Sequence, residues 1–192
     1  MLFNKASLTM LLIILLWISI AILGRIIPHP PNATPLAALT ILSGYAFRKN
    51  WAILITLVSL GVSDILLALL QQQPMFGDWS LFTYSGFILV AYLAPRKARA
   101  TSQSPLQKLC EYVVWSTFGY WFWTNFGTWL MSSMYSHDAA GFLDCYLAAL
   151  PFLRNALLAN IVYVLIFLPG VKIILTSTSL HKFPIYSLSQ NQ

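Results

Sequence analysis

From Leu8 to Ile27 the chain runs twenty residues with Arg25 as its only charge. A helix of ~20 apolar residues is what it takes to cross the ~30 Å hydrocarbon core of a bilayer. Further apolar runs follow, and they are continuous rather than alternating. A membrane β-barrel needs strands of about ten residues that alternate apolar and polar, so these runs predict helices. Only 8% of the residues are charged and 58% are apolar, against about one-quarter charged in an average soluble protein. The expectation is an all-α integral membrane protein forming a single domain over 1–192. The first run follows Lys5 as a signal peptide would. It continues to Gly24 with no small-x-small cleavage site, so a retained helix is predicted.

Six spans are expected, at about 8–27, 35–47, 51–70, 79–94, 109–131 and 155–174. An amphipathic piece at about 139–150, ended by Pro151, is too short to cross and is expected to pack over the outer mouth. Six spans put both termini on one side. With that side cytoplasmic, Lys5, Arg48, Lys49, Arg96, Lys97, Arg99, Lys108, Lys172 and Lys182 fall inside, and only Arg25 and Arg154 fall outside. That asymmetry is the positive-inside pattern and predicts a multi-pass protein of the bacterial inner membrane. The net charge of +6 therefore follows topology and predicts no nucleic-acid partner. Cys110 and Cys145 are expected near opposite faces, too far apart to pair.

Between the first two helices lies Arg25-Ile26-Ile27-Pro28-His29-Pro30-Pro31-Asn32-Ala33-Thr34. Its prolines forbid regular helix. Thr34 can N-cap the next helix and Pro35 suits the first helical position. That second helix covers only about 20 Å at 1.5 Å per residue, so the proline segment is predicted to dip toward the membrane core. Irregular backbone at such depth lines a wet cavity or is buried in protein.

The polar residues near this segment are the candidate substrate-binding groups: Arg25, His29, Asn32, Thr34, Asp64, Asn125, Trp129, Arg154 and Asn155. Arg25 either snorkels to headgroups or binds an anion together with the amides of the second helix. Asp64, an acid inside an apolar helix, either pairs with Arg25 or Arg154, or serves as a ligand or proton site. His29 is expected to hydrogen-bond within the cap, and Asn32 to bind backbone or ligand. Asn125 and Trp129 are four apart and share a helix face, with Thr124 beside it. The aromatics of the fifth helix exceed an interfacial belt, so some are expected to face inward. Arg154 stands at a helix start, where a cation needs a partner such as Asp144, Asp138 or a ligand. Asn155 and Asn160 add polar groups to the last helix. No zinc spacing, nucleophile elbow or phosphate loop occurs, so no metal, cofactor or catalytic residue is predicted.

Arg25 with Pro28-His29-Pro30-Pro31-Asn32 and Thr34-Pro35 resembles the signature of a bacterial family of unknown function regarded as transport proteins. Ser63-Asp64, Thr124-Asn125-Phe126, and the stretch from Cys145-Tyr146 through Ala149-Leu150-Pro151-Phe152 to Arg154-Asn155 are similar to its later motifs. In size and hydropathy that family is similar to the substrate-binding S components of energy-coupling-factor vitamin transporters. The resemblance implies a ligand held in the outer half of a six-helix bundle, with ATP-driven coupling subunits as partners. It would place Gly-Asp where this chain has Ala159-Asn160, and S components often carry an A-x-x-x-A docking pattern that the first helix here lacks.

The expected function is capture of a small anionic or zwitterionic solute from outside. Three rivals stand beside it: a proton-coupled carrier using Asp64, an intramembrane enzyme, and a structural assembly subunit.

Overall fold

The computed structural model describes residues 5–72, 74–95 and 105–176. They form seven helices and no strand: α1 (Lys5–Ile26), α2 (Pro35–Ala46), α3 (Lys49–Gln71), α4 (Ser80–Leu93), α5 (Pro105–Met131), α6 (Ala139–Ala148) and α7 (Leu150–Thr176). The chain is all-α throughout these residues. The basic loop residues Arg96, Lys97 and Arg99, and His181 and Lys182 of the tail, lie outside the described residues.

The twelve-residue α2 is the axis of the bundle. Every residue of it except Ala37 is buried. It packs against α1, α3, α4, α5 and α7, and only α6 stays clear of it. Small residues make this possible. A side chain at Gly44 would run into the Ala91 carbonyl and the Ala94 methyl, so α2 and α4 approach almost backbone to backbone. Trp17 of α1 closes another side. Its ring meets Phe47 edge-on at 5.7 Å between centroids and its indole N–H donates to the Leu39 carbonyl at 3.2 Å.

The proline segment sets where α2 begins. Pro28 lies beyond α1, whose last turn is extended by Ile27 N–H bonding to the Leu23 carbonyl at 2.9 Å. Pro30 then accepts from Ala33 N–H at 2.9 Å in a tight turn. Asn32 within it has φ 63, the left-handed region that Asn tolerates better than most residues. Pro35 occupies the first turn of α2, where a missing N–H costs nothing.

Three boundaries differ from expectation. Helix α5 starts at Pro105 rather than near Leu109. Helix α7 starts at Leu150 rather than Asn155, so that Arg154 lies a turn inside it and not at its start. The break before α7 is shifted as well. Pro151 was expected to end the amphipathic piece, but the break falls at Ala149 and Pro151 lies in the first turn of α7. The chemistry of proline allows both, since a ring that cannot continue one helix is equally suited to start the next. The start of α6 is fixed by Asp138, whose carboxylate accepts from Gly141 N–H and from the Ser136 hydroxyl, each at 2.8 Å.

The outward faces of the helices are apolar. Leu12, Leu15 and Leu16 of α1, Leu54 and Leu69 of α3, and Leu158, Leu165 and Ile166 of α7 are all exposed. Among the described residues two stretches, Lys49–Gln71 and Leu150–Ile173, are long and apolar enough to cross a membrane, against the six expected.

Candidate functional site

Near the end of α1, Arg25 reaches across to α3. Its Nη1 donates to the Leu60 carbonyl at 3.3 Å, to the Ser63 hydroxyl, and to Asp64 Oδ1 at 2.6 Å. The other oxygen of Asp64 accepts from the Tyr84 hydroxyl of α4 at 2.7 Å. Three helices are tied together by one ion pair and its neighbours. The side chain of Asp64 is only 5% exposed and that of Arg25 is 19% exposed. A carboxylate with so little water needs both partners, because an unpaired buried charge is costly.

All of these bonds use a single nitrogen of the guanidinium. Nη2 and Nε make no hydrogen bond among the described residues. They belong to a residue that lines a central cavity of about 420 Å³. The mouth of this cavity carries His29, Asn32 and Thr34, and its wall includes Leu36 and Ala37 at the start of α2. Thr34 makes no side-chain cap bond. The first N–H groups of any helix lack intrahelical acceptors, so the positive end of α2 is left uncapped beside the cavity.

Polar groups of α5 and α7 face the same space. Asn160 is 3% exposed and its Nδ2 donates to Thr117 Oγ1 at 2.8 Å. The Oδ1 of Asn160 has no hydrogen bond among the described residues. Thr83 of α4 also lines the cavity. Trp79, Phe87, Tyr120 and Trp121 supply aromatic walls. Trp121 is held rigidly, its indole N–H donating to the Ala149 carbonyl at 2.9 Å.

Of the residues singled out in the sequence, Arg25, His29, Asn32 and Thr34 line this cavity together. Asp64 stands behind Arg25 and does not line it. Asn125 lines a second cavity of about 430 Å³, between α5, α6 and the proline segment, which shares Asn32 and Thr124 with the first. Its Nδ2 bonds back to the Trp121 carbonyl at 2.7 Å. Trp129 lines neither cavity; it donates to the Ser136 carbonyl at 3.0 Å and packs edge-on against Phe142. Arg154 is exposed and lines neither cavity. Asn155 is a clasp: its Nδ2 donates to the Pro31 carbonyl at 3.2 Å, fixing the proline segment to α7.

Sequence reasoning missed Thr83 and Thr117 as cavity groups, while Asn160, singled out as a polar group of the last helix, both bonds across to α5 and lines the cavity. On α5 the signal was present, since Thr117, Tyr120, Trp121 and Thr124 recur at helical spacing. The expected face, Asn125 with Trp129, is the neighbouring one, turned by one residue.

Cys145, buried at the second cavity, has its thiol raised above the ordinary range by burial. It therefore remains protonated at neutral pH. No three His, Cys, Asp or Glu side chains converge among the described residues in a way that would hold a metal.

Among curated proteins and solved structures, none matches the chain. One family profile does match, and its description assigns no activity and makes no link to transporters. It extends over nearly the whole chain, including every residue of the cavity described above. The chain therefore belongs to the family of unknown function DUF6580, whose profile matches residues 4–183.

Proposed function

We propose that this is a six-span inner-membrane protein that captures a small solute from the outer side and serves as the substrate-binding subunit of a transporter. In this reading α1 to α5 and α7 span, and α6 lies over the outer mouth. The exposed apolar faces of α1, α3 and α7 support it. In water they would form apolar surface well beyond the few hundred Å² that soluble monomers leave exposed. Charge supports the orientation. Arg48 and Lys49 lie at the turn between α2 and α3, with Lys108 near the start of α5 and Lys172 near the end of α7, while Asp78, Asp138 and Asp144 lie toward the other end. Basic residues collect on the cytoplasmic side of membrane proteins.

The observation that carries the binding reading is the divided use of Arg25. Nη1 is anchored to α3, Nη2 and Nε make no hydrogen bond among the described residues, and Arg25 lines a cavity beside the uncapped end of α2. Guanidinium and helix N-terminus together favour an anionic oxygen. A carboxylate or similar group of an anionic or zwitterionic solute would lie there, with its apolar or planar part against Trp79, Phe87, Tyr120 and Trp121. Asn160 Oδ1 would accept a donor. Asp64, with both oxygens engaged, would position Arg25 rather than touch the solute. Energy is proposed to come from ATP-driven coupling subunits.

Native mass spectrometry of the protein purified gently with its own lipids tests this. A bound small molecule is expected on the native chain and is expected to be lost in Arg25→Gln. A folded native chain carrying nothing, or a molecule held equally by Arg25→Gln, would overturn the reading.

A further inference from the structure

The central cavity has a neighbour of opposite chemistry. Between α4 and α5 runs a lateral groove of about 400 Å³, bordered by Gly86, Leu89, Leu93, Trp115, Gly119 and Trp123 among others. Most of its polar side chains already have partners; the Trp115 indole and the Tyr120 hydroxyl are without one among the described residues. Tyr112 donates to the Val90 carbonyl, Trp123 donates to the Ser85 hydroxyl at 2.9 Å, and Ser116 donates to the Val113 carbonyl at 3.3 Å. Apart from these paired groups, the Trp115 indole N–H and the Tyr120 hydroxyl, the groove wall is leucine, valine, glycine and aromatic ring, and an apolar chain suits it. The central cavity is the reverse, with Arg25 Nη2 and Nε, Asn160 Oδ1 and the α2 N-terminus unengaged.

The two spaces share Val90, Ser116 and Tyr120 as lining residues. The partition between them is therefore a single layer of side chains. Tyr120 is its bulkiest member, and glycines flank it on the groove side. A side chain at Gly86 would collide with the Tyr120 ring, whereas Gly119 opens onto empty space with nothing within 4 Å of where its side chain would be.

We propose that the ligand of the central cavity is a single-chain amphiphile. Its oxyanion head lies against Arg25 and the start of α2, and its apolar chain passes Tyr120 into the α4–α5 groove. This rests on the solute-binding reading above and narrows it: the ligand reaches the site from the bilayer rather than from water. Continuity of a polar chamber with an apolar groove is what a molecule with one charged end and one alkyl end requires.

The test is photolabelling in lipid nanodiscs with dodecanoate carrying a diazirine near its methyl end, mapped by peptide mass spectrometry. Saturable labelling at Leu89, Leu93 or Trp115 is expected. Excess plain dodecanoate should displace it at least fivefold, and butyrate should not. Arg25→Lys keeps a cation opposite Asp64 but removes the two nitrogens that make no hydrogen bond within the protein's described residues, and should reduce the saturable labelling at least fivefold. Gly119→Leu fills the groove and should move the label out of it. Labelling that does not saturate and is unchanged in Arg25→Lys would identify ordinary bilayer chains and overturn the amphiphile. Saturable labelling confined to central-cavity residues and displaced by butyrate would also overturn it, while leaving solute binding intact. No saturable labelling anywhere, with a water-soluble molecule found on the native chain, would do the same.

Discussion

Arg25 serves two surfaces through different nitrogens, and Asp64 makes that division possible. Asp64→Asn keeps a group that can bond Tyr84 but leaves the guanidinium without its counter-charge. Breaking a buried pair from one side costs about 3 kcal/mol or more, so this variant should unfold at clearly lower temperature in detergent. The double variant Arg25→Gln with Asp64→Asn should lose less than the two single variants added together. Simple additivity would show that the 2.6 Å contact contributes nothing. Asp138 gives a prediction in pH. Gly141 N–H, and next the Ser136 hydroxyl, hold its carboxyl below the ordinary range. A depressed folded-state value stabilises above the unfolded value, about 4, and that stabilisation is lost as pH falls through the folded one. Amide exchange, corrected for intrinsic rates, should therefore show the first turn of α6 fraying on acidification. Asp138→Asn, which keeps a capping oxygen, should remove the pH dependence. An equally pH-dependent Asp138→Asn would assign the fraying to another group. At this scale the sequence was partly readable. Arg25, His29, Asn32 and Thr34 are close in the chain, so their meeting in one cavity is close to local geometry. Asn160 with Thr117, or Asp64 with Tyr84, depends on helix rotations that no local pattern sets.

Elements show the same division. The ends of α2 are written in Thr34-Pro35 and in Arg48, because proline and charge punctuate apolar helices without help from packing. The rotation of α5 is different. It carries polar groups and aromatics on adjacent faces, and only contact with α4 and α7 selects the Thr117–Tyr120–Thr124 face over the Asn125–Trp129 one. Close approach at Gly44 gives a direct prediction. Gly44→Ala should lower thermal stability by about 1–3 kcal/mol, the usual cost of overpacking, since Ala91 meets the added methyl with backbone. Gly170→Ala in α7, where nothing lies within 4 Å, should be neutral or slightly stabilising, by up to about 1 kcal/mol. Equal melting temperatures for the two variants would contradict the tight α2–α4 contact.

For the molecule as a whole, the proposed orientation can be read with a thiol reagent that does not cross membranes. Cys110 is exposed near the start of α5. In a Cys145→Ser background it should label in permeabilised but not in intact cells, and His29→Cys in a background with neither native cysteine should label in intact cells. Labelling of Cys110 in intact cells would reverse the orientation. The all-α character was legible from composition and apolar run length. The enclosure of one short helix by five others was not, because apolarity alone does not say whether a face meets lipid or protein. That enclosure bears on how the chain is made. α2 is among the first segments to leave the ribosome, yet one of its walls is α7, and the clasp from Asn155 to Pro31 joins positions 124 residues apart. Until the last helix is synthesised, α2 lacks that wall and its proline segment lacks its tether. A chain interrupted before α7 carries an unsealed centre, which a quality-control protease can recognise, so premature termination should lead to rapid removal rather than to a partly working protein.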